Sequence, residues 1–181
     1  MKEEKVLFNA SLGFLLREDK ILLAKKAKKI GAGRLNGYGG GIDGDETPQE
    51  SMVRELKEEA GVITSESSLE KVSIIDFHNT KSDGQTFVCR VHIFFINEWI
   101  GEPKESEEML NPTWFDIKNL PFDEMMPNDK DWLPQALAGK KIIAKAYLGP
   151  FQKESLANME IEVVESFSDN FCPPNPSVAI S

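Results

Sequence analysis

The chain has 181 residues, of which 40% are apolar and 28% charged; that suits one soluble globular domain large enough for a proper core. Its net charge of −9 argues against a non-specific nucleic-acid binder, which carries a basic footprint, but not against a nucleotide substrate held with metal ions. Two cysteines, Cys89 and Cys172, are too few for a disulfide framework.

Met1 to Lys5 leads into an apolar run broken by Asn9 with no cleavage-like site, which is unlike a signal peptide. No apolar run approaches the ~20 residues of a membrane span. A cytoplasmic protein is expected. Val6 to Leu16 reads as a buried strand, Arg17 to Lys20 as a polar turn, and Ile21 to Ala24 as the returning strand of a hairpin. Lys25, Lys26, Lys28 and Lys29 then cluster; most suit a solvated loop, with one or two available to a triphosphate. Asn36-Gly37-Tyr38-Gly39-Gly40-Gly41 is too glycine-rich for a strand interior and permits close backbone approach.

A loop then turns into a short helix. Thr47 is a good N-cap, Pro48 suits the first helical position, Glu50 completes a capping box and Gly61 is the natural stop. Helical periodicity puts Met52, Val53, Leu56 and Ala60 on one face and Glu55, Glu58 and Glu59 on another. Taken alone, three repelling carboxylates are either a solvated face or the oxygen ligands of a hard divalent cation.

Beyond the helix, Ser65 to Ser68 is a polar connector. Val72 to His78 and Thr86 to Trp99 are strands joined by a turn at Ser82-Asp83-Gly84, and Cys89 reads as a small buried hydrophobe. An acidic loop at Glu105 to Glu108 precedes a short strand around Thr113 to Phe115, and Pro121 to Pro127 is irregular. Asp129 to Ala138 reads as a second helix, with Pro134 near its first turns or marking a late start. Ile142 to Leu148 and Met159 to Val164 read as a closing pair of strands. The organisation is a single domain over 1–165 and a proline-containing tail over 166–181. Strands with two helices give an α/β fold with a mixed β-sheet.

The spacing of Gly40, five residues, Glu46, seven residues, then Arg54-Glu55-Leu56, Glu58-Glu59 and Gly61-Val62 resembles the Nudix box at every defining position. The resemblance to Nudix hydrolases implies an α/β/α sandwich and hydrolysis of a nucleoside diphosphate linked to another group. It implies Mg²⁺, with Mn²⁺ as a substitute, held by Glu55, Glu58, Glu59 and the Gly39 carbonyl. Glu58 or Glu59 would be the general base, and Arg54 would pair with Glu46 to orient the metal glutamates.

A wider resemblance, from about Leu12 to Phe151, is to the animal-type 8-oxo-dGTP diphosphatases. It rests on Gly31 to Gly40, Glu105 to Met109, Trp114-Phe115, Leu120-Pro121-Phe122 and Met126-Pro127-Asn128-Asp129, with Trp132 and Pro134 following. It implies that Asn36, Asn128 and Asp129 read a purine while Met126 packs on its face. Ser11, Ile30, Tyr38 and Phe77 would belong to the pocket, Lys26 would approach it, and Glu108 would be a further acidic residue near the metals. Three positions depart from that pattern. Met126 stands for a tryptophan, Asn128 for an aspartate and Ile30 for an aromatic residue, which bears on the 8-oxo preference more than on the purine preference. The partner expected is a small nucleotide, with no nucleic-acid polymer and no membrane, and the chain would act as a monomer or homodimer. Other readings are a Nudix hydrolase of a dinucleoside polyphosphate, nucleotide sugar or RNA 5′ end, and a non-catalytic binding module. The presence of all three glutamates counts against the module.

Overall fold

The computed structural model describes residues 6–168. Met1 to Lys5, Cys172 and residues 169–181 of the expected tail lie outside the described residues. The strands are β1 (Asn9–Arg17), β2 (Lys20–Lys26), β3 (Leu35–Asn36), β4 (Tyr38–Gly41), β5 (Leu69–Thr80), β6 (Thr86–Ile96), β7 (Met109–Asp116), β8 (Lys141–Leu148) and β9 (Ser155–Val164). Two helices, α1 (Pro48–Ala60) and α2 (Asp129–Leu137), complete the fold.

The sheet runs β3-β2-β1-β6-β5-β8-β9, with β4 also paired to β1 and β7 to β2. Its pairing is mixed: β1–β6 and β5–β8 are parallel, and the other pairs are antiparallel. Successive side chains on a strand point to opposite faces, and β6 displays this plainly. Ile93 and Phe95 pack with Trp132, Leu133 and Ala136 of α2. Phe94 and Ile96 pack with Met52, Leu56 and Ala60 of α1. The helices therefore cover opposite faces, giving the α/β/α sandwich.

The Arg17–Lys20 hairpin and both long central strands form as the periodicity predicts. Boundaries differ where pairing decides them. β1 starts at Asn9, because Val6 to Phe8 pack instead beside Phe87 and Cys89. β9 starts at Ser155, ahead of Met159, because the ladder to β8 extends to Leu148. The connector at Ser65 to Ser68 contains a single 3₁₀ turn. Pro134 lies inside α2, where it withholds one backbone donor from the second turn. Among the described residues, no helix is long and apolar enough to cross a membrane.

Candidate active site

The start of α1 is fixed by its own sequence. Thr47 Oγ1 accepts from the Glu50 N–H at 3.1 Å, and Glu50 Oε1 accepts from the Thr47 N–H at 3.3 Å. Pro48 opens the helix, and Gly61 ends it in the left-handed region at φ 70°. Met52, Leu56 and Ala60 are buried against the sheet, while Val53 is only half-buried at the edge of that face.

The three glutamates separate into two environments. Glu55 and Glu59 are turned inward, with 8% and 7% of their surface exposed, whereas Glu58 is exposed. Arg54 organises the group from behind. Its Nε and one terminal nitrogen donate to both oxygens of Glu46 at 2.7 and 2.9 Å. The other terminal nitrogen donates to Glu55 Oε1 at 3.0 Å and Glu58 Oε2 at 3.2 Å. A further bond at 3.2 Å reaches the Gly41 carbonyl. The hydrogen bond from Arg54 is the main cause that holds Glu46 below its usual carboxylate range, and the Glu46 bond raises Arg54 still higher.

Burial pushes the Glu59 carboxyl up to about 8, reinforced by a hydrogen bond that it donates to Glu55 and by the charges of Glu55 and Glu108, and opposed by Lys26. The two inward carboxylates thus relieve their repulsion by retaining a proton. Gly40 leaves room for Glu55, since a Cβ at that position would lie 2.6 Å from Glu55 Oε1 and displace the carboxylate. Glu58 is drawn to Arg54, and Glu108 to Lys29 Nζ at 3.3 Å. Glu58 and Glu108 thus take basic partners, while Glu55 and Glu59 face each other. Among the described residues, no group of three or more His, Cys, Asp or Glu side chains is arranged to hold an ion.

All four glutamates nevertheless line one cavity of about 660 Å³, within the usual range for a small-molecule site. Gly39, Lys26, Ser11, Ile30, Asn36 and Phe77 lie in its wall, with Ser11 paired to Gly40 beside the carboxylates. Met126, Asn128 and Asp129 close the other end. The Ser11 hydroxyl bonds Ser51 Oγ of α1 at 2.9 Å, tying β1 to the helix. Asn36 Oδ1 accepts from the Gly37 N–H at 2.8 Å, which leaves its amide hydrogens as the groups available to a ligand. Tyr38 is a correction. It is fully buried in the core under α1 and takes no part in the cavity wall. Burial, followed by the charge of Glu59, raises its hydroxyl pKa.

Asp129 accepts from the Met126 N–H and from Trp132 Nε1–H, both at 3.2 Å. Burial overcomes those bonds and pushes its carboxyl up to about 7. Asn128 Nδ2 donates to Asp131 Oδ2 at 3.2 Å and to Ser155 Oγ at 3.4 Å. The geometry thus joins a carboxylate end to an amide and carboxyl end through one continuous space.

A model of the NUDIX domain matches residues 7–136. The chain belongs to the NUDIX family. Its match stops before β8, although β8 lies inside the sheet between β5 and β9. The NUDIX chain is 35% identical to the oxidized purine nucleoside triphosphate hydrolase of Mus musculus, over 87% of this chain and 96% of that one. It is 37% identical to the protein of the same name from Danio rerio, over 74% of this chain and 81% of that one. The fold is also that of a MutT protein from Bacillus halodurans, with a TM-score of 0.68 and 17% identity over 85% of this chain and 97% of that one.

Sequence reasoning missed Gln152 and Arg34. Gln152 lines the cavity, held by a 2.7 Å bond from its Nε2 to Asn79 Oδ1. Arg34 donates to the carbonyls of Met125 and Lys153, fastening the loop that precedes Met126. Neither stands in a local pattern; both are recruited by tertiary placement. Cys89 is buried as predicted, and burial pushes its thiol up to about 12, but it also reaches the cavity wall.

Proposed function

We propose that this NUDIX protein is a Mg²⁺-dependent pyrophosphohydrolase of oxidised purine nucleoside triphosphates such as 8-oxo-dGTP. Water adds to a phosphorus, the P–O–P bond breaks, and nucleoside monophosphate and pyrophosphate leave. The observation that carries this reading is the single cavity joining the Glu55–Glu59 pair to Asn36, Asn128 and Asp129. The names of the mouse and zebrafish relatives support the oxidised purine.

The donor set fits a hard cation, because Glu55 and Glu59 are two buried carboxylates side by side in the cavity wall. Glu55, Glu58 and Glu59 would hold Mg²⁺ with the Gly39 carbonyl and with Glu108 nearby; Mn²⁺ would substitute. Bound there, the ion supplies an activated water and neutralises charge on the phosphates. Glu58 or Glu59 takes the proton from the water, and Arg54 keeps Glu55 and Glu58 in position. Lys26 faces the triphosphate, Phe77 and Met126 cover the base, and Ser11 stiffens the floor between them. The protein acts on the small-molecule nucleotide pool of the cytoplasm, as a monomer or homodimer.

Incubation with Mg²⁺ and a panel of dGTP, 8-oxo-dGTP, 2-oxo-dATP, ATP and diadenosine polyphosphates tests this. Pyrophosphate released most efficiently from an oxidised purine is the expected result. Turnover of only sugar- or dinucleotide-linked substrates would overturn the reading.

A further inference from the structure

One polar side chain reaches the cavity from a strained turn. Gln152 lines the wall from the connection between β8 and β9. The turn is closed by the Lys153 N–H, which donates to the Pro150 carbonyl at 3.3 Å. Its two central residues, Phe151 and Gln152, are both left-handed, each with φ 56°. Positive φ at both central positions is the habit of glycine, asparagine and aspartate, so these larger side chains hold the turn under strain. Such strain collects at ligand sites, where it aims a side chain. The turn is also clamped: Arg34 donates to the Lys153 carbonyl at 3.1 Å and to the Met125 carbonyl.

The Gln152 amide is held in one orientation. Asn79, 2% exposed, donates from Nδ2 to the Phe77 carbonyl at 2.9 Å. A carbonyl can only accept, so the amide of Asn79 must turn its oxygen the other way. There Asn79 Oδ1 accepts from Gln152 Nε2 at 2.7 Å. Gln152 Oε1 takes no hydrogen bond from the described residues and is not among their buried side-chain atoms. Asn79 uses one of the two Nε2 hydrogens. One acceptor and one donor, side by side on a single amide, are left for a ligand.

We propose that Gln152 is a specificity-determining residue that recognises the oxidised edge of the purine, accepting its N7–H on Oε1 and donating from Nε2 to O8. The proposal rests on the oxidised purine triphosphate reading of the same cavity. Oxidation at C8 converts N7 from an acceptor to an N–H and places a carbonyl beside it. A donor and an acceptor then stand where an intact purine has a lone pair and a C–H. A primary amide is the complement of the oxidised pair. Against the intact edge it can answer only N7, and its own acceptor is left facing a C–H. Sites built to hydrogen-bond a substrate group reject analogues that lack it far more strongly than apolar pockets reject a missing methylene. Asn79 is a positioning residue in this scheme, since it does not line the cavity and acts only through Gln152.

The test is the ratio of kcat/KM for 8-oxo-dGTP to that for 8-bromo-dGTP, which carries bulk at C8 but keeps N7 as an acceptor. Taken within one preparation, this ratio is not moved by a loss of folded protein. The wild type should favour 8-oxo-dGTP by about tenfold or more. Gln152→Met, close in volume and without an amide, should lower the ratio by about threefold to tenfold, through slower turnover of 8-oxo-dGTP alone. Asn79→Ala, which lets the amide turn, should lower it in the same direction by a smaller factor. A wild-type ratio near one, or a ratio that Gln152→Met leaves unchanged, would overturn the proposal while leaving the hydrolase reading in place. Failure of every purine triphosphate to turn over would instead overturn the hydrolase reading, and this proposal with it.

Discussion

The two ends of the cavity are built in opposite ways. The carboxylate end comes mainly from one continuous loop and helix, where Gly40, Gly41, Glu46, Arg54, Glu55 and Glu58 meet within residues 40–58, with Lys26 and Glu108 added from elsewhere. The base end draws on β3 for Asn36, β5 for Phe77, the segment before α2 for Met126 to Asp129, and the turn after β8 for Gln152. A local arrangement fixes charge and geometry together, so it can serve as a constant reaction centre. A non-local arrangement can vary one contributor at a time, which suits the choice of substrate.

The largest effect should come from the carboxylate end. Glu59→Gln should lower turnover by roughly a hundredfold or more, the scale of a lost acid–base or electrostatic group, with an unchanged far-UV spectrum. Near-wild-type turnover in saturating Mg²⁺ would remove the metal-site reading. Arg54→Ala comes next. Loss of the bonds to Glu46, Glu55 and Glu58 should cost about 10–100-fold in activity or metal affinity, read as the Mg²⁺ concentration needed for half-maximal rate.

The base end should appear in pH dependence. Asp129 rises from 3.8 to about 7 on folding because of burial. The folded protein then keeps a proton that the unfolded chain loses, so this group lowers stability as pH climbs from about 4 to 7, after which the contribution is level. Urea unfolding of wild type and Asp129→Asn should differ in slope across that window, with the steeper fall in the wild type. Parallel curves would mean that Asp129 is ionised in the folded state. The smallest effect is at the helix start, where Thr47→Ala removes the cap on Glu50 and should cost about 1 kcal/mol. A shifted melting temperature with unaltered kcat is the expected reading.

The same contrast explains what was legible in the sequence. Thr47, Pro48, Glu50 and Gly61 act on neighbours in the chain, so α1 and its caps follow from local chemistry. The Arg54–Glu46 pair follows from a fixed spacing. The pairing of β1 with β6, or of β5 with β8, joins distant segments in parallel and left no mark in local periodicity. Tyr38, which the resemblance assigns to the pocket, has its ring turned beneath α1 by the strand. Glu58 shares a helix face with Glu55 and Glu59, yet Arg54 holds it outward. Spacing shows which residues are near each other and not which partner each side chain takes. The bond from Asn128 to Ser155 could not be read in advance, since Ser155 lies on β9.

The division of labour between the two ends can be tested in one matrix of rates. Wild type, Glu59→Gln and Asp129→Asn are each assayed with dGTP, 8-oxo-dGTP, 2-oxo-dATP and ATP in saturating Mg²⁺. Glu59→Gln should lower every kcat by about the same factor and leave the substrate order intact, whereas Asp129→Asn should reorder the substrates with a smaller loss in the best of them. A Glu59 variant that reorders the substrates, or an Asp129 variant that slows all of them equally, would contradict the separation of reaction from recognition.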